Sequence, residues 1–226
     1  MKVGFFGKLP GYGDFVQRNV SPELIGFWDN WLMQSIDTSM AQLKDHWRDI
    51  YFTSPVWRFT VQRGVINDST ISGLMMPSVD ASGRNYPFFV FCELPAPANL
   101  FSLSAELEPL HIQGEDLIIP LLSQTRPDLD DLADILGQHY GQYRPTVTSP
   151  ASSDITSSSA DLFKLSSPQP VSAQHMHNLF CDAMLARQHL RLSIWAHSAS
   201  EQFDYLQRYF RGMPPVDAFA SLLNGN

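Results

Sequence analysis

The chain opens on an uninterrupted apolar and small run at positions 3–6, Val3-Gly4-Phe5-Phe6, which predicts a short buried strand. The run breaks into Gly7-Lys8-Leu9-Pro10-Gly11-Tyr12-Gly13-Asp14, a loop in which glycines and a proline dictate the backbone shape. A helix follows. Ser21 is placed to cap it, Pro22 suits its first position, and Glu23 favours the positive end of its dipole. Leu24, Phe27, Trp28, Trp31, Leu32 and Ile36 recur at three- and four-residue spacing, and the pattern continues through Met40, Leu43 and Trp47. A helix with that face is expected to anchor the core.

At positions 56–62 the period changes to two. Trp57, Phe59 and Val61 alternate with Arg58, Thr60 and Gln62, which predicts a strand with one buried face. Two further strands are expected over 71–76 and 88–93. Between them, the turn-forming stretch 77–87 is too long for a two-residue hairpin. Three strands joined by short links favour an antiparallel meander over repeated βαβ units. Positions 103–140 read as helical, with interruptions expected at Pro109, Pro120 and Pro127. Asp128, Asp130 and Asp131 precede Leu132, Ile135 and Leu136 as a helix N-terminus prefers.

Serines and prolines then accumulate over 145–171, which reads as a linker or long surface loop with a brief strand at 162–165. Such a segment can house a phosphorylation switch, although most serine-rich loops are only solvated. Met176, Leu179, Phe180, Ala183 and Met184 predict a helix over 172–188 with Ser172 as cap, followed by a strand at 190–196. Two short helices, 201–211 and 216–223, are expected to close the chain. The order β–α–βββ–α–α–β–α gives an α+β class, a mixed but largely antiparallel sheet covered by helices. The expected organisation is one compact domain over 1–226. It comprises a motif-bearing part at 1–98, a helical insert at 99–144 packed on one face of the sheet, the Ser/Pro loop at 145–171 and a C-terminal part at 172–226.

Composition narrows the function classes. With 226 residues, 44% of them hydrophobic, the chain can bury a substantial core. A formal net charge of −8 and the lack of any Lys/Arg stripe argue against nucleic-acid binding, which needs phosphate-neutralising charge. No apolar run approaches the roughly 18–20 residues that cross a bilayer, so no membrane insertion is expected. The first residues lack the apolar region and cleavage site of a signal peptide. Cys92 and Cys181 are far apart, so reduced thiols and a soluble, cytoplasmic protein are expected.

Familiar catalytic patterns fail on inspection. A strand feeding Gly7-Lys8 invites a phosphate loop, but Leu9 and Pro10 stand where Ser or Thr is needed, and Pro10 removes an amide from the cradle. Gly11-Tyr12-Gly13 is not completed to a dinucleotide fingerprint. There is no HExxH, no CxxC and no GxSxG. His175 and His177, two apart on a helix, point to different sides. Cys92 on a buried strand reads as a structural thiol. No metal and no cofactor are expected. The sharper candidates are Asp14 and Arg84, each ending a Gly-containing turn beside aromatics. They can pin the two loops together as a bidentate pair, or join Lys8 and Asp80 in a small polar pocket.

The stretches GFFGKLPGYGDFVQR, SPELIGFWDNWL and GLMMPSVDASGRNYPFFV together resemble the TagF (ImpM) family of type VI secretion-associated proteins. The family's GKLP-x-x-GDF opening reads here as Gly7 to Pro10 with Gly13 to Phe15. Its W-D-x-W-L helix reads as Trp28 to Leu32, and its G-x-x-MPS-x-D-x-x-GR-x-(Y/F)-P segment as Gly73 to Pro87. Leu192-Ser193-Ile194-Trp195, then Gly212-Met213-Pro214, Phe219 and Leu222-Leu223, fit the family's ending.

The resemblance implies a non-catalytic accessory that restrains assembly or firing of the secretion system after translation. It would act by binding the system's forkhead-associated scaffold protein, in opposition to a kinase–phosphatase pathway. Some relatives are fused to a PP2C-type phosphatase, whose metal-binding aspartate motifs are not found in this sequence. Lys8, Asp14, Asp80, Arg84, Trp28 and Trp31 are the candidate interaction or loop-locking residues. The alternative is a small-ligand or phosphate-binding domain, or a weak hydrolase, using the loops Gly7–Asp14 and Asp80–Arg84. Oligomeric state is left open.

Overall fold

The computed structural model describes residues 1–95, 99–144 and 172–226; the Ser/Pro segment and the strand foreseen at 162–165 lie outside them. The described strands are β1 (Lys2–Gly7), β2 (Val16–Arg18), β3 (Trp57–Val61), β4 (Ser69–Met76), β5 (Phe88–Pro95), β6 (Leu192–His197) and β7 (Leu206–Arg211). They form one sheet in the order β2-β1-β5-β4-β3-β6-β7. Every neighbouring pair is antiparallel, so the sheet is not mixed. The helices are α1 (Pro22–Leu43), α2 (Trp47–Thr53), α3 (Leu100–Ile118), α4 (Leu129–Gly141), α5 (Ala173–Gln188) and α6 (Phe219–Leu223), making the fold α+β.

The strands are apolar on both sides, and that decides the layering. Along β5, Phe89 and Phe91 join one core while Phe88, Val90 and Cys92 join the other. Along β4, Ile71 and Met75 take the first side and Leu74 and Met76 the second. A sheet with two such faces must be covered twice. The stripe of α1 closes one face together with Trp47 and Tyr51 of α2 and Phe219 of α6. Leu103, Leu107 and Ile118 of α3, with Leu132, Leu136 and Tyr140 of α4, close the other.

Several expectations need correction. β3 is buried on both faces: Arg58 and Thr60 lie under α3 instead of facing water. Arg58 reaches Glu115 at 2.8 Å and the Ser198 hydroxyl at 2.7 Å. Pro109 does not interrupt α3. The carbonyl it deprives of a partner belongs to Ala105, an exposed residue, so water can satisfy it. Most of the expected helix at 201–211 is instead the edge strand β7, paired with β6 from Leu192↔Arg211 to His197↔Leu206. β2, a three-residue strand against β1, was not foreseen. The apolar run of α1 ends as a helix at Leu43, where Lys44 has a positive φ of 50°, and a 3-10 turn leads into α2.

Trp28 sits at the centre of the α1-side core, its ring 4.9 Å from Phe59, 5.4 Å from Phe89 and 5.0 Å from Phe91. Trp31 packs on Trp195 and Phe219 and donates from Nε1 to the Pro214 carbonyl at 2.8 Å, which ties the C-terminal segment to α1. Trp31→Ala is therefore expected to lower stability by about 3–5 kcal/mol, the usual cost of deleting a buried aromatic side chain. Urea unfolding checks this, and a loss below about 1 kcal/mol would contradict the placement.

Candidate functional site

Two loops meet at the ends of β1 and β4. The first, residues 8–15, leaves β1 at Gly7, whose φ is +143° and whose Cα lies so close to the Pro87 carbonyl that a side chain would collide with it. Leu9 then plunges into the α3/α4-side core with no exposed surface. The second loop, residues 77–87, turns back through Gly83 at φ +77°. Gly13, by contrast, has open space around it and no positive φ, so its loop position does not demand glycine on those grounds.

Asp80 is the point at which the loops are joined. Its Oδ1 accepts the backbone N–H groups of Ser82 and Arg84 at 2.9 and 3.0 Å. Its Oδ2 accepts Lys8 Nζ at 3.0 Å and Arg84 Nε at 2.6 Å. The Asp80 side chain has no exposed surface, and that of Lys8 only 8%. Arg84 is 61% exposed along its side chain and spans to the first loop, donating from Nη2 to the Gly13 carbonyl at 2.7 Å. Backbone and hydroxyl bonds add to the seam. The Ser78 hydroxyl donates to the Lys8 carbonyl at 2.7 Å, and the Ala81 N–H donates to the Tyr12 carbonyl at 2.8 Å. Burial by itself would raise the Asp80 pKa; the Arg84 amide, the Lys8 ammonium, the Arg84 guanidinium and the Ser82 amide outweigh it and hold the carboxyl well below the usual range.

The expected Asp14–Arg84 pair is not formed. Asp14 is exposed and, among the described residues, accepts only the N–H of its neighbour Phe15, at 2.8 Å, while Arg84 takes Asp80. Lys8, Asp80 and Arg84 thus come together and Asp14 stays outside. Trp28 and Trp31 are in the core, so neither offers a contact surface. Beside the ionic cluster stands an aromatic one. Phe15 stacks on Phe6 at 5.3 Å, meets Tyr86 edge-on at 4.7 Å, and lies beneath Lys8 Nζ at 5.1 Å. Tyr86 donates to Asp29 Oδ1 at 2.8 Å, fastening the second loop to α1, and burial together with that acceptor pushes its hydroxyl pKa far up. Tyr12 donates to the Pro127 carbonyl at 2.6 Å, fastening the first loop to the segment before α4.

One polar cluster was missed in the sequence. Ser72 Oγ lies 2.8 Å from His111 Nε2, and His111 Nδ1 lies 2.9 Å from the Tyr140 hydroxyl. The order imitates a nucleophile, base and orienting group. Ser72 is fully buried, however, and its hydroxyl is already engaged with the Phe59 carbonyl and Thr60. Burial, then the charge of Arg58, pushes His111 down to about 3, so it is neutral at ordinary pH. The available signal was His111 falling in the Leu103, Leu107, Gly114 and Ile118 stripe of α3, where a polar residue needs a buried partner. Cys92, also fully buried, has its thiol pKa pushed far up by burial. Among the described residues no group of His, Cys, Asp and Glu could hold a metal, and no helix is long and apolar enough to cross a membrane.

These placements predict opposite outcomes for two similar substitutions. Asp80→Asn is expected to cost about 2–4 kcal/mol, because it strands the buried Lys8 ammonium. Asp14→Asn should stay within about 0.5 kcal/mol of the parent. The Asp80 carboxylate has a depressed folded-state pKa, so its stabilisation is complete above its unfolded value near 4 and fades as pH falls through that value towards the native one. The stability gap between parent and Asp80→Asn, read from melts at pH 7 and pH 3, should therefore narrow in acid.

The comparisons with known proteins agree with this architecture. A family model described as the TagF N-terminal domain, type VI secretion system-associated, matches residues 4–136, which contain both loops, α1 to α3 and the first part of α4. The crystal structure of PA0076 from Pseudomonas aeruginosa PAO1 superposes with a TM-score of 0.78 at 28% identity, covering 99% of this chain and 94% of that one. No curated protein matches significantly. With more than half its length matched by the family model, the chain belongs to the TagF N-terminal domain family of type VI secretion system-associated proteins.

Proposed function

We propose that this chain is a non-catalytic regulator of type VI secretion that restrains the apparatus after translation by binding its forkhead-associated scaffold component. The observation that carries the reading is the family match over residues 4–136, whose description is type VI secretion-associated. The geometry of the loops is in keeping with it. The groups that a ligand pocket or hydrolase would have to present, Lys8 and Asp80, are buried against each other, and both Asp80 oxygens are used within the chain. Beside the exposed Asp14, the outer part of Arg84 and the ring of Phe15 reach solvent at this end, a cation and an aromatic, the side-chain types that interfaces favour.

Titration of the purified chain into the purified scaffold protein by calorimetry is expected to give a complex, with the scaffold's phosphate content unchanged by the encounter. Absence of heat at about 100 μM of each protein, where even a weak pair registers, rejects the partner. Loss of scaffold phosphate on addition of the chain, abolished by Asp80→Asn in a folded sample, rejects the non-catalytic part.

A further inference from the structure

Where the two loops meet the end of α2 and the 3-10 turn after α3 (Ile119–Leu122), the surface holds an apolar groove of about 300 Å³. Pro10 from the first loop, Met76 at the end of β4, Phe52 of α2, and Ile119 and Leu122 form its walls, and no charged residue lines it. Phe52, Ile119 and Leu122 remain 48%, 46% and 39% exposed, three bulky apolar side chains around one depression. The polar groups beneath are already satisfied. Ser78 donates its N–H to the Tyr51 hydroxyl at 3.0 Å, accepts that hydroxyl on its carbonyl at 2.8 Å, and gives its own hydroxyl to Lys8. A groove braced in this way is shaped before anything enters it and asks its occupant for apolar surface, not for hydrogen bonds.

Its flanks carry charge. The Arg48 guanidinium stands 5.6 Å from the centroid of the Phe52 ring, and that of Arg126 stands 5.4 Å from the centroid of the Tyr12 ring, two residues past Pro10. Neither has an ion-pair partner among the described residues, on a chain whose net charge is −8. Unpaired guanidinium groups at an apolar depression complement carboxylates. They also disfavour a second copy of this chain, because a two-fold contact would bring each patch, with its two arginines, against itself.

We infer that this groove docks a partner segment in which a bulky aliphatic or aromatic side chain is flanked by carboxylates. The inference rests on the reading that the chain works by holding a partner, and it adds the place and the chemistry of that contact.

The test selects phage-displayed random peptides on the full-length chain and measures the enriched sequences against Ile119→Asp and Arg48→Glu, two changes at exposed positions whose folding is checked by melting. The enriched peptides are expected to carry Leu, Ile, Phe or Trp beside Asp or Glu. Each substitution should weaken them about tenfold or more, and selection on Arg48→Glu should turn to basic flanks. No enrichment, enrichment without acidic flanks, or affinities untouched by both substitutions overturns the inference. So does a parent dimer in sedimentation that Ile119→Asp disperses, since the occupant is then a second copy. The scaffold is titrated separately. If it fails to bind while the acidic-apolar peptides bind and respond to the substitutions, the proposed partner is wrong and the groove stands.

Discussion

A carboxylate with no solvent-facing surface must find its countercharge inside the protein, and Asp80 finds it from two directions. Lys8 arrives from the loop after β1, and Arg84 from four residues further along Asp80's own loop. Neither loop can bury its charged residue alone: Lys8 without Asp80 is a stranded ammonium, and Asp80 without Lys8 loses the cation that is itself buried. The loops are thus obliged to fold together. Their joining also positions what surrounds them, because Phe15 packs against Tyr86, Tyr86 holds α1 through Asp29, and Tyr12 holds the approach to α4 through Pro127. Both helical layers are in this way tied to one ionic contact at the end of the sheet.

Features that depend on local chemistry were legible in the sequence. Ser21 caps α1 through the N–H of Leu24, Asp128 caps α4 through those of Asp130 and Asp131, and Ser172 caps α5, all as their residue types dictate. The meander β3–β4–β5 followed from period and link length. Features decided by distant packing were not. The alternation in β3 pointed to one wet face because Arg58 and Thr60 are polar, and only the arrival of α3, with Glu115 opposite Arg58, makes their burial possible. β7 is an edge strand whose partly exposed side chains carry little apolar signal, and pairing with β6 fixes it. Asp14, ending its glycine turn beside aromatics, was singled out ahead of Asp80 as the partner of Arg84. They differ because Asp80 is followed by the Ser82 and Arg84 amides curling onto its own Oδ1, an Asx-type turn that draws its side chain inward. Asp14 accepts the next amide and remains outside.

The same distinction separates what the loops do for the fold from what they offer the surroundings. The polar groups that look most chemical, Lys8, Asp80 and the hydroxyl of Ser78, are paired inward, and their pairing gives the outer surface its shape. Pro10 and Met76, held on either side of that seam, are walls of the apolar groove, and Ser78 and Tyr51 brace its floor. On the proposed reading this surface recognises by shape, apolar contact and long-range charge, with the exposed face of Arg84 and the guanidinium groups of Arg48 and Arg126 supplying the last. The motifs that identify the family can therefore be structural and functional at once. Residues facing inward keep the backbone where it is, and that backbone holds up apolar and cationic side chains that remain partly exposed. A substitution that loosens the ionic seam should reach the groove indirectly through Ser78, whereas one at Phe52 or Ile119 alters the groove and leaves the seam intact. Stability and the proposed recognition at this end of the sheet are thus separable by residue even though they share the same two loops.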